Sequence, residues 1–496
     1  MSPLVSDLSR QTKLMHRLLL FILLSAAYPA AHALDEGQNL PALGDRSSSI
    51  ISLEEEHQLG QEFLRSLRAQ VKTVSDPVLQ DYLEHLVYKL AVHSQVQDRR
   101  LEVVIIDSDQ MNAFAAPGGI IGINDGIFLY ADNEDELAAI LAHELGHLSQ
   151  RHFARAAEES KQASLPSIAG LLAGIILMAT AGGDAGIAAI TAGQAAGQNE
   201  MLRFSRAREA EADRVGIETL ADAGMDPRAM AYMFEKLQRI SRFQGNDIPE
   251  FLMTHPVTKD RISDAFNLTR KYPVKDYPLN LDFQMMRART IVHMSRTVQE
   301  AIVKMRDGMK AGEPLKRAGS QYGLALALSE AERTDEAMKN VRELEVKYPG
   351  KIALTVAEAN VDSRAGRYDQ ADAILKAAVG IAPENYPLTM TYADTLVKAG
   401  KAAQAEKLLL PLTTKRPLDV DLWYLLAETY GLANNIVGVH EARAEYFVLV
   451  GNMKQAITQL GYALPLVKDN FQQTAKIRTR IEEIYKMEQQ QQQAGL

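Results

Sequence analysis

The chain has 496 residues, no cysteine, and 63 acidic against 54 basic side chains, giving a formal net charge of −9. That length predicts two or more domains whose cores are large enough to do without disulfides. The mixed, slightly acidic charge excludes a non-specific nucleic-acid binder and a broadly cationic membrane surface.

At the N-terminus, "KLMHRLLLFILLSAAYPAAHA" sets Lys13 and Arg17 before an apolar run from Leu18 to Ala27 and ends on Ala31-His32-Ala33. This reads as a secretory signal peptide, residues 1–33, cut after Ala33. An uncleaved anchor is the alternative, but the apolar run is short for a span. Export without cysteine predicts a soluble bacterial envelope protein, in the periplasm. A polar lead follows, Asp35 to Ser49. Then "SLEEEHQLGQEFLRSLRAQV" reads as a helix with Ser52 as N-cap and Glu55 at the capping-box position. "DPVLQDYLEHLVYKLAVHS" reads as a second, with Asp76 as cap and Pro77 at its first position. "LEVVIIDS" is a short strand. "NAFAAPGGIIGINDGIFLY" reads as strand, Pro-Gly-Gly turn, strand and helix entry. Asn112, Ala113, Phe114, Ala115 and Ala116 read either as an ordinary sheet strand or as an edge strand able to hold an extended peptide by its backbone.

Next comes "AAILAHELGHLSQRH", with acids at Asp132 to Glu136 placed to complement the start of a helix. His143 and His147 are four apart and so share a helix face, with Glu144 turned roughly 100° from His143. This is the H-E-x-x-H pattern, in which two histidines hold zinc and the glutamate is the general base. A catalytic zinc needs a third protein ligand. The best source is "RFSRAREAEADRVGIETLADAG", where Glu209 and Asp213 face one way and Glu211 another. Glu209 could reach the ion while Asp213 steadies a ligand from behind. By spacing alone, a solvated helix rich in charge pairs explains the stretch better.

H-E-x-x-H followed some sixty residues later by E-x-E-A-D-R-x-G resembles the M48 metallopeptidases, and "NAFAAPGG" and "THPVTKDRI" fit the same pattern. The resemblance implies Glu209 as third zinc ligand and Asp213 as its catalytic support. It also raises His255, otherwise an ordinary helix-entry residue beside Pro256. In an M48 site His255 would steady the oxyanion or fill the open metal position at rest. Arg261, a turn and a half further on, could contribute a charge as well, with a surface pair as the more expected reading. Between the two motifs, Pro166 to Gly183 is uncharged and glycine-interrupted. It reads as mobile helices or a lid over the cleft, with membrane insertion as the alternative.

From about Val298 a 34-residue period sets in: Ala325, Ala359, Ala393 and Ala427 fall in register, as do Ala337, Ala371 and Ala405, and Pro349, Pro383 and Pro417. This is the tetratricopeptide (TPR) pattern of helix pairs packed through small residues. Tyr368, Tyr392, Trp423 and Tyr430 are candidate contacts on the concave face, each also readable as core. The array is expected to be a separable partner-binding module.

The expected fold is α+β and mainly α: a zincin-like M48 domain with a small sheet over residues 50–297, then an all-α TPR solenoid over 298–486. The glutamine-rich end, 487–496, is expected to be frayed helix or disordered. The expected function is zinc-dependent endopeptidase, with one zinc ion per subunit. Its residues are Glu144, His255 and Asp213 as catalytic groups, His143, His147 and Glu209 as metal ligands, and Asn112 to Ala115 as substrate contacts. The resemblance implies unfolded or stalled outer-membrane proteins and the beta-barrel assembly machinery as partners, no nucleic acid, and room for peripheral membrane association. The rival readings are a chaperone or scaffold with a latent metal site, and a membrane-embedded peptidase.

Overall fold

The computed structural model describes residues 51–159, 172, 174–176, 206–243, 249–310 and 312–494. The signal segment, the polar lead and nearly all of the 166–183 run lie outside them. Among the described residues, no helix is long and apolar enough to cross a membrane.

The local chemistry read from the sequence forms the first elements. Helix Leu53–Gln70 starts on a full capping box, Ser52 Oγ accepting from Glu55 N–H and Glu55 from Ser52 N–H. Helix Pro77–Val92 is capped by Asp76. Strand β1 (Glu102–Ile106) pairs in parallel with β3 (Ile120–Asn124), and β2 (Ala113–Ala116) runs antiparallel on the far side of β3. The sheet order β1-β3-β2 makes β2 an edge. The Pro117–Gly119 turn joins β2 to β3, and Gly118 sits at φ 73°. A side chain there would meet the Glu56 carbonyl of the first helix, so this crossing needs glycine.

Asn133 caps the motif helix Glu134–Ser149. Its middle is buried on all sides, which a helix with an apolar surface and three polar functional groups achieves only when those groups find partners inside. The ligand helix Arg206–Asp222 lies across it. The contact is close because both surfaces lack bulk: a side chain on Gly146 would come within 2.9 Å of Ala212 O, and one on Gly216 within 3.1 Å of His143 N.

Helical pairs then run from Pro314 to Ala463 and end in the helix Phe471–Ala494. The in-register alanines Ala325, Ala337, Ala359, Ala371, Ala393 and Ala405 are all fully buried between neighbouring helices. Of the aromatic candidates, Tyr392 is buried and donates to Asp372, and Trp423 donates to Pro417 O. Of the two readings of the glutamine run the helical one holds and the disordered one does not: the last helix continues through it to Ala494, as the good helix propensity of glutamine allows.

The two halves are joined without a break in packing. One hydrophobic cluster extends from Val78 to Ala442. Helix Leu281–His293 packs on repeat helix Pro314–Glu330, where Gly319 admits the Gln284 backbone and Gly323 admits Ala288. Arg416 of the array reaches back to Glu84 with both terminal nitrogens, at 2.5 and 2.9 Å, and lies over the Tyr386 ring. Arg289 likewise pairs with Asp76 and Tyr322. The array is built onto the catalytic half rather than tethered to it, and the periodicity, which records only repeat-to-repeat contacts, carries no sign of this.

Candidate metal centre

His143 and His147 rise one above the other on the motif helix, with Nε2 atoms 3.0 Å apart. The ligand helix brings Glu209 Oε1 to 3.5 Å from His147 and Oε2 to 3.6 Å from His143. His255 follows the short helix Glu250–Thr254 and turns its Nδ1 to 3.3 Å from His143 Nε2 and 3.0 Å from Glu209 Oε1. All four side chains are at most 4 % exposed. Donors held by one ion at about 2.0–2.1 Å in tetrahedral geometry sit roughly 3.3–3.4 Å from one another. Three imidazoles and a carboxylate crowded to that spacing fit a metal ion. They do not fit a hydrogen-bonded core, since Nε2 of His143 faces another ring nitrogen on two sides.

Supporting groups fix the ligands. Asp213 Oδ1 lies 2.9 Å from His143 Nδ1 and sets which nitrogen of that ring is left for the metal. Arg261 was expected at the surface, but it is 9 % exposed, stacks 4.6 Å above Phe234 and donates twice to Asp213 at 2.8 Å. Its Nη1 also lies 2.8 Å from Glu209 Oε2. One guanidinium thus offsets two buried carboxylates. Burial opposes the charge on Asp213, but His143 and Arg261 hold its pKa below the ordinary value. Burial also opposes charge on His143, yet the Asp213 and Glu209 carboxylates outweigh it and raise the ring to about 9.

His152 was overlooked in the sequence although it closes the quoted stretch. Its Nδ1 lies 2.9 Å from His147 Nδ1, and its Nε2 3.0 Å from Glu211, which also takes Arg155 at 2.9 Å. Five residues do not bring two side chains to one helix face, so spacing gave no signal. The motif helix stops at Ser149, Arg151 takes φ 49°, and a new helix starting at His152 folds back. Glu211 does point away from the metal ligands, as expected, and serves this second chain of contacts.

Glu144 is 1 % exposed, with Oε1 3.5 Å from His255 Nε2. Burial raises its pKa, with the His255 and His143 rings and a backbone hydrogen bond from Ala115 pulling the other way. That bond places β2 beside the base. Asn124 N donates to Asn112 O, so the antiparallel alternation turns the backbone groups of Ala113 and Ala115 away from β3, where Ala113 is fully buried and the Ala115 N–H meets Glu144. The side chains of this stretch are otherwise engaged. Phe114 packs edge-on against Phe63 and over Gly122, and Asn112 donates to Glu250 at the start of the helix that carries His255.

Comparison with known proteins agrees with this arrangement. Residues 77–269 match the model of peptidase family M48, and residues 364–429 match a tetratricopeptide repeat. The chain is 32% identical over 455 residues to the beta-barrel assembly-enhancing protease of Escherichia coli K12, covering 92% of this chain and 93% of that protein. It is 32% identical over 470 residues to a putative beta-barrel assembly-enhancing protease of Vibrio cholerae, covering 94% and 96%. A shorter likeness, 30% over 185 residues, is to the mitochondrial metalloendopeptidase OMA1 of Schizosaccharomyces pombe, and covers 36% of this chain and half of that one.

Proposed function

This chain belongs to peptidase family M48 and is a metalloprotease with TPR repeats, and from that premise we propose a periplasmic zinc endopeptidase that clears and assists outer-membrane barrel proteins. The observation that carries the zinc reading is the convergence of His143, His147, Glu209 and His255 donors at 3.0–3.6 Å. His143, His147 and Glu209 are the permanent ligands. When bound, the ion supplies Lewis acidity and lowers the pKa of water toward neutrality. Glu144 accepts the proton of the attacking water and delivers it to the leaving amine. Its buried position raises its pKa above the ordinary carboxylate value. Asp213 and Arg261 hold the ligand geometry, and His152 and Glu211 do the same for His147. The backbone groups of β2 that point away from β3 would hold an extended client as an added strand, in exchange for the Ala115 contact with Glu144.

His255 would fill the fourth donor position of an ion held by His143, His147 and Glu209, which would make the arrangement a resting one, and moved aside for water it would stand beside Glu144 and steady the oxyanion. Removing it therefore opens the centre. The periplasmic setting rests on the signal-like residues 1–33, and the boundary between the working halves is placed at 297/298, where the repeat pattern begins. Barrel proteins and their assembly machinery come as clients and partners from the names of the relatives. A scaffold role coexists with proteolysis, and the filled fourth position favours it: a centre at rest lets the array hold a client without cutting it.

Metal analysis of the full chain and of His143→Ala, His147→Ala and Glu209→Ala at limiting zinc tests the centre. Each single variant is expected to lose most of its zinc. Full occupancy in Glu209→Ala removes that residue from the ligand set.

A further inference from the structure

A second cluster of metal-ligating groups lies at the other end of the sheet from the joining turn. Asp107 directly follows β1 and Asp125 directly follows β3. The two strands are parallel and adjacent, with Ile106 beside Asn124, so both carboxylates leave the sheet at one end. Their backbones are pinned: Asp125 N donates to Ile106 O at 3.0 Å and Asp107 N to Lys72 O at 2.9 Å. Ser108 N also donates to Asp125 Oδ1 at 3.1 Å. His293, the last residue of helix Leu281–His293, brings Nε2 to 3.3 Å from Asp107 Oδ1 and 3.9 Å from Asp125 Oδ2. One donor atom from each of the three lies within 4.8 Å of the others.

Two observations separate this cluster from a chance gathering of acids. Asp125 has no exposed surface, and its Oδ2, which faces His293, has no hydrogen-bond partner. A buried carboxylate oxygen without a donor is costly unless a cation meets it. Second, Lys72 occupies only the far oxygen of Asp107, Oδ2, at 2.5 Å, so Oδ1 stays turned toward the cluster. Burial also pushes Asp125 up to about 6, with the Ser108 N–H and the His293 ring pulling the other way.

We propose that Asp107, Asp125 and His293 form a second metal site, which takes a divalent transition cation. Two carboxylate oxygens and one imidazole suit zinc or manganese better than calcium or magnesium, whose sites are oxygen-only. His293 also lines a cavity of about 650 Å³ shared with Asp76, Arg289 and Tyr368, so its ring can be reached from solvent. The ion is structural. It clips the ends of two catalytic strands to the helix on which the first repeat is built, so catalytic sheet and array move as one. The site is independent of the His143 centre.

Zinc alone is the probe. The metal-free full chain, titrated in competition with a chromophoric chelator, is expected to take up two equivalents, and His293→Ala one. His293 is partly exposed and its loss leaves the fold intact, so His293→Ala keeps its proteolysis with the first equivalent bound. The triple variant His143→Ala, His147→Ala, Glu209→Ala is expected to retain one equivalent and a zinc-induced rise in melting temperature, and both disappear on adding His293→Ala. That arm isolates this site from any failure of the catalytic reading. Uptake of a single equivalent by the wild-type chain, lost with the triple variant, overturns the proposal. So does a second equivalent that survives in both His293→Ala and Asp107→Asn.

Discussion

Two places in this molecule bring helices unusually close through small residues, and they use the approach for opposite ends. In the repeats, fully buried Ala325, Ala337, Ala359, Ala371, Ala393 and Ala405 let helix pairs nest, and the reward is apolar contact alone. Where the motif helix meets the ligand helix, Gly146 lies against Ala212 and Gly216 against His143, and the reward is position. A carboxylate from one helix arrives among histidines of the other. The first kind of contact tolerates drift, because a neighbouring repeat can follow. The second does not, because the donor atoms must meet at one point.

The change expected to have the largest effect leaves both contacts alone. Glu144→Gln is nearly isosteric and keeps the helix crossing and the metal, but it cannot take a proton. Digestion of an unfolded protein at matched zinc content should fall about 10²–10⁴-fold. Wild-type rates at full zinc content would remove Glu144 from the mechanism.

The contrast itself is tested by adding one methyl group to each contact. Gly146→Ala puts a carbon within 2.9 Å of Ala212 O, pushing Glu209 away from the rings. Zinc affinity should drop roughly 10–100-fold, as when a group that orients a ligand is lost, with only a small change in melting temperature. Ala371→Val should do the reverse, costing about 1–3 kcal/mol by overpacking at unchanged zinc content. Equal loss of zinc in both would erase the distinction drawn here.

A third, smaller effect concerns the join. Arg416→Ala removes two charged hydrogen bonds to Glu84 and should lower stability by about 1.5–3 kcal/mol. If the halves unfold as one unit, a single transition moves. If they unfold independently, the array's transition alone moves. Differential scanning calorimetry separates the two.

The smallest effect is a pH dependence at the same join. Burial, with Asp419 nearby, raises Asp421 from 3.8 to about 6, with Ser75 and Arg68 of the other half pulling it down. A carboxyl raised in the folded state contributes stability that is fully present below about 3.8 and lost as pH rises through about 6. Asp421→Asn should therefore stabilise the chain at pH 7, and the gain should vanish toward pH 4. A gain of equal size at both pH values would mean that Asp421 is not held in its uncharged form.

Much of this was readable in the sequence, for physical reasons that differ by residue. Ser52 with Glu55, and Asp76 with Pro77, act within one turn of chain, so local chemistry alone fixes those helix starts. His143 and His147 act across one helical turn, and the repeats across one period. Arg261, His152 and the Glu84–Arg416 pair act between elements distant in sequence or across a helix break, where no spacing rule reaches. Arg261 in particular looks like any surface arginine until Glu209 and Asp213 are seen to need a shared counter-charge. Phe114 belongs to a strand read as able to hold substrate by its backbone, and the strand's period of two turns its side chain inward onto Phe63.

On the proposed docking, the β2 edge would decide what kind of selectivity such an enzyme has. A client held there would be gripped by its peptide groups, so what is judged would be conformation rather than spelling. Any stretch with unpaired backbone would qualify, whatever its side chains, and a stretch already paired on both sides would not. A completed barrel is a sheet closed on itself and has no free edge to offer. If barrel proteins are the clients, as proposed, the finished product would withdraw itself from attack, while a chain stalled before closure would go on presenting the one feature the strand can hold.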